Sequence, residues 1–334
     1  MSASSQTRLT DQWGRQMDYL RIAVTDRCNL RCFYCMPAEG IQYLPKKELL
    51  TYEEILRLTR LSAELGVTKV RITGGEPFLR KDLTSLLHNI KNTEGIQSLN
   101  LTTNGVLTLP YLDELQEIGI DHVNLSLDSL DRDNFRRITR RDEYDRVLDT
   151  LHGLIHRGIK TKINMVVMQG KNTHEIIDMA ALTREHDISV RFIEEMPFNG
   201  STDMQNTWTA TQILQELSTR FGTLTPIVTD ANAPSTDYLI DDHLGKVGII
   251  AAFSRSFCGT CNRLRLTATG SIKNCLYDEG VLDIKNLIRS GYSDEQLKNA
   301  LVSTVKHKEK NGFLAEAKRK KGGQITESMS TIGG

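Results

Sequence analysis

The sequence predicts an α/β protein: an incomplete (β/α)6 TIM-type barrel followed by a smaller α+β domain. Three observations lead to this prediction. Strand-like and helical segments alternate up to about residue 195. The strand-like segments themselves alternate between apolar and polar residues. Beyond about residue 225, strand-like segments follow one another with only turns between them. Repeated βα units favour a parallel sheet, whereas consecutive strands favour antiparallel pairing.

The first region contains six strand-like segments separated by helical ones. The strands are expected at 19–25, 68–73, 98–103, 122–128, 160–167 and 189–194. Amphipathic helices are expected between them, among others at 52–65, 82–91 and 111–119. Six parallel strands are too few for a closed eight-stranded barrel, so we expect an open, partial one.

The alternation within these strands predicts where the site lies. Parallel strands covered on both faces are usually apolar throughout, but here Val70 and Ile72 flank Arg71. Four of the six strands carry a cation on the polar face: Arg21, Arg71, Lys162 and Arg191. Each cation could instead pair with a carboxylate at a strand end. Four strands with the same feature favour a polar lumen that binds a shared anionic ligand.

The last third of the chain has a different pattern of strand-like and helical segments. A helix is expected at 209–221, then strands at 238–242, 246–254, 262–270 and 271–276, which we expect to pair antiparallel, and two helices at 281–290 and 293–309. The predicted division is an N-terminal extension at 1–17, the partial barrel at 18–225 and the second domain at 226–334.

Composition narrows the function classes. The 334 residues carry 42 basic and 42 acidic side chains, so the formal net charge is zero. This balance argues against a general nucleic-acid or membrane binder. No stretch approaches the ~18–20 apolar residues of a membrane span, and the N-terminus has no apolar leader segment. We therefore expect a cytoplasmic protein, in which clustered cysteines indicate metal binding or catalysis rather than disulfides.

The first three cysteines lie in "TDRCNLRCFYC", directly after the first predicted strand, as Cys28, Cys32 and Cys35. Three thiolates can hold three corners of a [4Fe–4S] cube and leave the fourth iron open for a ligand. A zinc site completed by a distant His or Asp is the alternative. The motif "TGGEP" (73–77) ends the second strand, and its two glycines allow a close backbone approach at the same end of the sheet.

A second set of three cysteines lies in "SFCGTCNRLRLTATGSIKNCL", as Cys258, Cys261 and Cys275. It also lacks a fourth cysteine, so it favours a second cluster with an open iron; a structural cluster or an incomplete zinc ribbon stays open. Arg263 and Arg265 are two apart on a strand and point the same way. Together with the four barrel cations they favour a polyanionic substrate such as a nucleoside triphosphate.

The cysteine loop with Tyr34 before Cys35, together with Gly74-Gly75-Glu76, resembles the radical S-adenosylmethionine superfamily. The second cysteine motif with Arg263-Leu264-Arg265, and the terminal Gly333-Gly334, resemble the GTP 3′,8-cyclases of molybdenum cofactor biosynthesis, over nearly the whole chain. The resemblance implies two [4Fe–4S] clusters, each with three cysteine ligands and one open iron, and S-adenosylmethionine. It implies that a 5′-deoxyadenosyl radical removes the ribose 3′ hydrogen of GTP, and that C3′ then attacks guanine C8.

The resemblance also implies roles for individual residues. Contacts with S-adenosylmethionine are implied for Tyr34, Gly75, Ser126 and Met196. Contacts with GTP are implied for Arg21, Arg71, Thr102, Lys162, Arg191, Arg263, Leu264 and Arg265. Gly333 and Gly334 are implied to enter the active site and support catalysis. The implied partners are GTP, an electron donor and a downstream cyclic pyranopterin monophosphate synthase, and the chain is compatible with a homodimer. No nucleic acid or membrane is expected.

Two other functions stay open at this point. One is another radical S-adenosylmethionine enzyme with an auxiliary cluster, such as a peptide-modifying maturase. The other is a zinc-stabilised nucleic-acid-binding module, which would contain zinc and bind nucleic acid in a salt-sensitive way. The basic run "KRKKGG" (318–323) is read as a solvated segment.

Overall fold

Six parallel strands form the centre of one sheet, in sequence order. The computed structural model describes residues 7–196, 207–228, 230–318 and 329–332. Neighbouring strands from β1 to β6 are all parallel. They span Tyr19–Ala23 (β1), Lys69–Thr73 (β2), Ser98–Thr103 (β3), His122–Ser126 (β4), Thr161–Val167 (β5) and Ser189–Glu194 (β6). The predicted α/β fold with six parallel strands is therefore confirmed, and the sheet has two open ends within the described residues.

Helices connect these strands and cover their apolar face. The first seven are Tyr52–Glu64 (α1), Leu83–Lys91 (α2), Leu112–Ile118 (α3), Arg132–Thr139 (α4), Tyr144–His156 (α5), Ile176–Glu185 (α6) and Ala210–Phe221 (α7). Helix α1 shows why they start where they do: Thr51 and Glu54 form a capping box that satisfies two otherwise unpaired N–H groups. Its buried side chains pack into the core that also holds Ile22 and Val70.

The strands of the last third extend the same sheet instead of forming a separate one. They are Leu224–Ile227 (β7), Ser235–Ile240 (β8), Lys246–Ile250 (β9), Arg263–Leu266 (β10), Ser271–Lys273 (β11) and Leu282–Asp283 (β12). The predicted antiparallel pairing holds for β8 with β9 and for β10 with β11. Strands β7 and β12 were not predicted; they also pair antiparallel with their neighbours, and β12 lies where a helix was expected. The expected continuation from β9 to β10 is wrong, because β9 is parallel to β6 and β10 is parallel to β1.

The segment between β9 and β10 therefore has an unusual path. Strand β9 lies beside β6 at one side of the barrel, whereas β10 lies beside β1 at the other. Both run parallel to the barrel strands, so residues 251–262 must cross from one side to the other. The second cysteine motif starts on this crossing segment, since Cys258 and Cys261 lie within 251–262 and Cys261 directly precedes β10.

The last helices and the N-terminal segment complete the core. The helices are Ile284–Arg289 (α8), Asp294–Lys306 (α9), Gly312–Lys318 (α10) and Met329–Ile332 (α11). Residues 7–17 belong to the main core, since Leu9 and Met17 are buried there with α9 residues. The boundaries predicted at 17 and 225 remain predictions. No helix in the described part of the chain has the length and apolarity required to cross a membrane.

Candidate active site

Both cysteine trios face one cavity. Its volume is about 880 Å³, and its wall includes all six cysteines, the glycine motif after β2 and the polar face of the barrel strands. Cys28 follows β1, whereas Cys261 precedes β10, the parallel neighbour of β1. Cys275 follows β11, which is antiparallel to β10, so it lies near Cys261. The trios are thus at opposite ends of the same strand pair, and the cavity joins them.

The glycine motif packs directly against the first cysteine loop. A Cβ atom on Gly75 would lie 2.2 Å from the carbonyl oxygen of Arg27 and 2.6 Å from its carbon. The N–H of Gly75 donates to the carbonyl of Thr25 (2.9 Å), and that of Glu76 to the carbonyl of Arg27 (2.7 Å). Only glycine allows this approach. The motif therefore holds the loop that carries Cys28 in place.

Glu76 links this loop to the end of β3. Its carboxylate is buried and accepts hydrogen bonds from the N–H of Phe78 (3.1 Å), the hydroxyl of Thr103 (2.9 Å) and the N–H of Asn104 (2.7 Å). Burial outweighs these bonds and raises the pKa of Glu76 to about 7. The amide of Asn104 in turn faces the sulfur of Cys28 at 3.7 Å. Glu76 thus connects the glycine motif to the end of β3, and Asn104 is a site residue that sequence reasoning missed.

The residues predicted to bind S-adenosylmethionine lie along the same wall. Tyr34, Gly75, Ser126 and Met196 all line the cavity. Tyr34 donates its hydroxyl hydrogen to the buried carboxylate of Asp128 (2.7 Å), which also accepts from the N–H of Val166 (2.9 Å). Burial raises the pKa of Asp128 to about 6. Asp128 was also missed, because an acid at a strand end is common and has no distinguishing pattern.

The electrostatic surroundings of the two trios differ. Burial, with a contribution from Glu76, raises the pKa of Cys28 to about 12, and burial together with Asp128 raises the pKa of Cys32. At the other trio, burial also acts to raise the pKa of Cys261, but Lys308 and Arg263 outweigh it and lower the pKa to about 7. Burial raises the pKa of Cys275 to about 11 although Lys308 opposes it.

Each end of the cavity presents three cysteine thiols as donors. All six cysteines are free thiols. Across the described residues, no group of three or more His, Cys, Asp and Glu side chains is arranged to hold one metal ion. Three thiols at each end of one cavity are the number of ligands that a [4Fe–4S] cluster with one open iron requires.

The predicted cations lie between the two trios. Arg265, Arg21 and Arg71 are direct neighbours in the registers of β10, β1 and β2. Seven basic side chains line this part of the wall: Arg21, Lys69, Arg71, Lys162, Arg191, Arg263 and Arg265. Asp18 and Asp237 also line it, beside Lys69 and Arg191. Burial and then Arg265 lower the pKa of Arg21, and burial, Arg191 and Arg71 lower that of Lys162 to about 7. Neighbouring like charges make this region a favourable place for a polyanion.

Tyr19 organises part of this cluster. The guanidinium Nε of Arg71 donates to its hydroxyl oxygen, and the ammonium of Lys69 lies 5.1 Å from its ring centre. Burial would raise the pKa of Tyr19, but Arg71 and Arg21 outweigh it and lower the pKa to about 8. Lys69 was missed, although its spacing of two from Arg71 on the same strand places it on the same face.

The remaining predicted residues have different outcomes. Thr102 lines the cavity, and its hydroxyl lies 3.5 Å from Nη1 of Arg71. The side chain of Leu264 is buried in the core on the opposite face of β10, so a contact with substrate would have to come from its backbone. Gly333 and Gly334 lie outside the described residues, as does most of the basic run after Lys318.

Two family models match the chain. Residues 22–183 match the radical SAM superfamily, and residues 188–314 match the family described as Molybdenum Cofactor Synthesis C. The fold is also similar to that of Streptococcus suis SuiB bound to S-adenosylmethionine, with a TM-score of 0.56 at 18% identity over 89% of this chain and 68% of that one. The similarity to SuiB concerns the fold. The radical SAM family match, together with the cysteine loop and the glycine motif, defines a radical S-adenosylmethionine protein.

Similar sequences specify the family. The GTP 3′,8-cyclase of Thermodesulfovibrio yellowstonii is 39% identical over 334 residues, which is 98% of this chain and 100% of that protein. Molybdenum cofactor biosynthesis protein 1 of Drosophila melanogaster is 41% identical over 90% of this chain, and the match covers 54% of that protein. The chain thus spans about half the length of the animal relatives it matches. The chain belongs to the GTP 3′,8-cyclase family, and the radical SAM match implies an iron–sulfur cluster and S-adenosylmethionine as cofactors.

Proposed function

We propose that this chain converts GTP to (8S)-3′,8-cyclo-7,8-dihydroguanosine 5′-triphosphate, the first step of molybdenum cofactor biosynthesis. One observation carries the proposal: a single cavity of about 880 Å³ is lined by both cysteine trios and by the cations between them. A volume of this size is within the range of ligand sites. The similarity to bacterial GTP 3′,8-cyclases over their full length supports the same function.

The end of the cavity near β1 suits S-adenosylmethionine. Cys28, Cys32 and Cys35 would hold the first [4Fe–4S] cluster, with one iron left open, and Tyr34, Gly75, Ser126 and Met196 would bind S-adenosylmethionine. When bound, the reduced cluster would supply one electron that cleaves S-adenosylmethionine to methionine and a 5′-deoxyadenosyl radical, and this radical would take the ribose 3′ hydrogen. After C3′ joins C8, the nucleotide radical would take up one electron, from the electron donor, and one proton to give the 7,8-dihydro product. The buried bond between Tyr34 and Asp128 supports this placement, because it fixes the loop beside Cys35.

The middle and the far end suit GTP. The neighbouring side chains of Arg265, Arg21 and Arg71 can bind phosphate oxygens by paired N–H donors. Lys162, Arg191 and Arg263 extend this cationic wall, and Thr102 adds a hydroxyl. Cys258, Cys261 and Cys275 would hold a second [4Fe–4S] cluster, whose open iron would face the guanine base. C3′ and C8 of one nucleotide could then be held close together, which favours ring closure.

The remaining expectations belong to the same proposal. Residues 18–225 would form the part that binds S-adenosylmethionine, and 226–334 the part with the second cluster and the Gly333-Gly334 tail. An electron donor and a downstream cyclic pyranopterin monophosphate synthase would be the partners, in the cytoplasm.

Anaerobic incubation with GTP, S-adenosylmethionine and a strong reductant tests the proposal directly. We expect 5′-deoxyadenosine and a cyclised nucleotide to form together, from protein with about eight irons per chain. Intact GTP after complete S-adenosylmethionine cleavage would contradict the assigned substrate and favour a peptide-modifying enzyme. Zinc in place of iron would contradict the radical mechanism altogether.

Substitution of Arg265 tests the phosphate site. Arg265→Ala should weaken GTP binding about 10- to 100-fold, because a hydrogen-bonded charge contributes about 1.5–3 kcal/mol. Iron content and S-adenosylmethionine affinity should not change. The matched control is Arg136→Ala, on the exposed side of α4. Normal GTP affinity of Arg265→Ala in a titration would show that the phosphates bind elsewhere.

A further inference from the structure

The turn after α9 contacts the three chain segments that carry Cys258, Cys261 and Cys275. These segments are called the cysteine arms. Lys308 in this turn is 3% exposed. Its ammonium donates to the backbone carbonyl of Arg263 (2.9 Å), two residues after Cys261, and to that of Asn274, which directly precedes Cys275. One side chain thereby joins the two segments that carry Cys261 and Cys275.

Arg15 joins the third arm to the same turn. Its guanidinium donates to the backbone carbonyls of Cys258 (2.9 Å), Glu309 (2.6 Å) and Lys310 (2.8 Å). Asp11 fixes it by an ion pair of 2.6 Å, and the Arg15 side chain is only 9% exposed. Arg15 therefore anchors the Cys258 carbonyl from the N-terminal segment, which the sequence suggested was a separate extension.

Two further bonds tie the N-terminal segment to the turn. The side-chain amide of Gln12 and the indole N–H of Trp13 both donate to the carbonyl of Lys308, at 3.2 and 3.1 Å. The turn is therefore held from both sides, and neither Arg15 nor Lys308 can move without disturbing a cysteine arm.

The charge of Lys308 has no carboxylate to balance it within 4 Å in the described part of the chain. Its two acceptors are neutral carbonyls. Asp278 interacts with Lys308 electrostatically over a longer distance, while its oxygens accept from the N–H groups of Cys275 and Gly280. A buried cation without a direct ion pair is unfavourable. Three thiolates on an iron–sulfur cluster would supply further negative charge at this place.

We infer that Arg15 and Lys308 are positioning residues for the second iron–sulfur centre, and that the charge of Lys308 also raises the reduction potential of that centre. The inference rests on the second cluster of the proposed function. The pair gathers the three cysteine arms through their backbone carbonyls, and neither residue needs to touch GTP. A positive charge near a cluster stabilises its reduced, more negative form.

Substitution of Lys308 tests both its positioning role and its effect on the reduction potential. Lys308→Met keeps the length of the side chain and removes its charge and donors. We expect this variant to hold about four irons per chain instead of about eight, or to keep a second centre that is reduced only at a more negative potential in an EPR-monitored titration. Lys308→Arg should restore much of the iron content and the potential. Lys306→Met, at an exposed lysine of α9, is the control and should match the unmodified protein.

Substitution of Arg15 tests the positioning alone. Arg15→Lys keeps a charge but cannot bind three carbonyls in one plane. We expect it to lower the iron content of the second centre, while the first centre still cleaves S-adenosylmethionine and the thermal unfolding of the protein stays close to that of the parent.

The outcomes separate this inference from the proposed function. Lys308→Met with about eight irons and an unchanged potential would overturn the inference even where the parent protein cyclises GTP. A parent protein with one cluster and intact GTP would instead overturn the proposed function.

Discussion

The two ends of the cavity present the same three-thiol donor set in different electrostatic surroundings. At the β1 end the buried carboxylates of Glu76 and Asp128 help to raise the pKa values of Cys28 and Cys32. At the β10 end the cations Lys308 and Arg263 outweigh burial and lower the pKa of Cys261 to about 7. Cysteine spacing alone therefore does not define a role. We expect the centre near the carboxylates to have the lower reduction potential and the centre near the cations to suit an anionic substrate.

Removal of one cysteine from each trio is the strongest test of this contrast. Cys28→Ala should abolish 5′-deoxyadenosine formation, since the S-adenosylmethionine centre loses one of three ligands. Cys258→Ala should still cleave S-adenosylmethionine but form no cyclised nucleotide. Chromatography of both products from anaerobic reactions measures the difference. Equal losses of both products in the two variants would mean that the ends do not have separate roles.

Replacing one glycine by alanine near each cysteine trio should give a smaller difference between the two ends of the cavity. Gly75→Ala places a Cβ 2.2 Å from the backbone of Arg27, so the first cysteine loop has to move. We expect a loss of about 1–3 kcal/mol in the free energy of unfolding and a lower iron content. Gly259→Ala, between Cys258 and Thr260, meets no atom within 4 Å and should leave both quantities unchanged. Denaturant unfolding and iron analysis measure the two effects. A tolerated Gly75→Ala would contradict the close packing.

The pH dependence of GTP binding tests the cationic region. Burial, Arg191 and Arg71 lower the pKa of Lys162 to about 7, so the free protein loses this charge as the pH rises through 7. A polyanion binds the protonated form better. GTP affinity should therefore be highest below pH 7 and fall by up to about tenfold per pH unit above it, with proton uptake on binding. Calorimetry in buffers of different ionisation enthalpy measures that uptake, and Lys162→Met should lack it.

The phenol of Tyr19 is the internal control for this experiment. Its pKa is lowered to about 8, so it also titrates in this range. Tyr19→Phe should flatten only the part of the profile above pH 8. A profile that is unchanged in Lys162→Met would assign the dependence to another group.

The barrel and its polar face could be predicted from local pattern. The segments expected at 68–73 and 98–103 correspond to Lys69–Thr73 and Ser98–Thr103, because alternation on a strand is a property of consecutive residues. The same alternation placed Arg21, Arg71, Lys162 and Arg191 on one wall. Both cysteine trios could also be identified from the sequence, because the spacing of their cysteines is a local property of the chain.

The features that could not be predicted depend on contacts between distant parts of the chain. Nothing near Arg263 indicates that its strand pairs in parallel with Tyr19 and its neighbours, since this pairing follows from the crossing path of 251–262. Lys308 resembles any lysine after a helix end, and only the fold shows that it is buried between two cysteine arms. Asn104 and Asp128 likewise become site residues only when their strands assemble.

The parallel pairing of β10 with β1 has a consequence for synthesis on the ribosome. Strand β10 begins at Arg263, about 240 residues after β1 ends at Ala23. At a typical rate of ~5–20 residues per second, one edge of β1 stays without its partner for roughly 10–50 s. An exposed strand edge can pair with other chains, and an inward-pointing charge such as Arg21 discourages this. The arginine row that suits a triphosphate in the finished protein would thus also protect the nascent chain from aggregation.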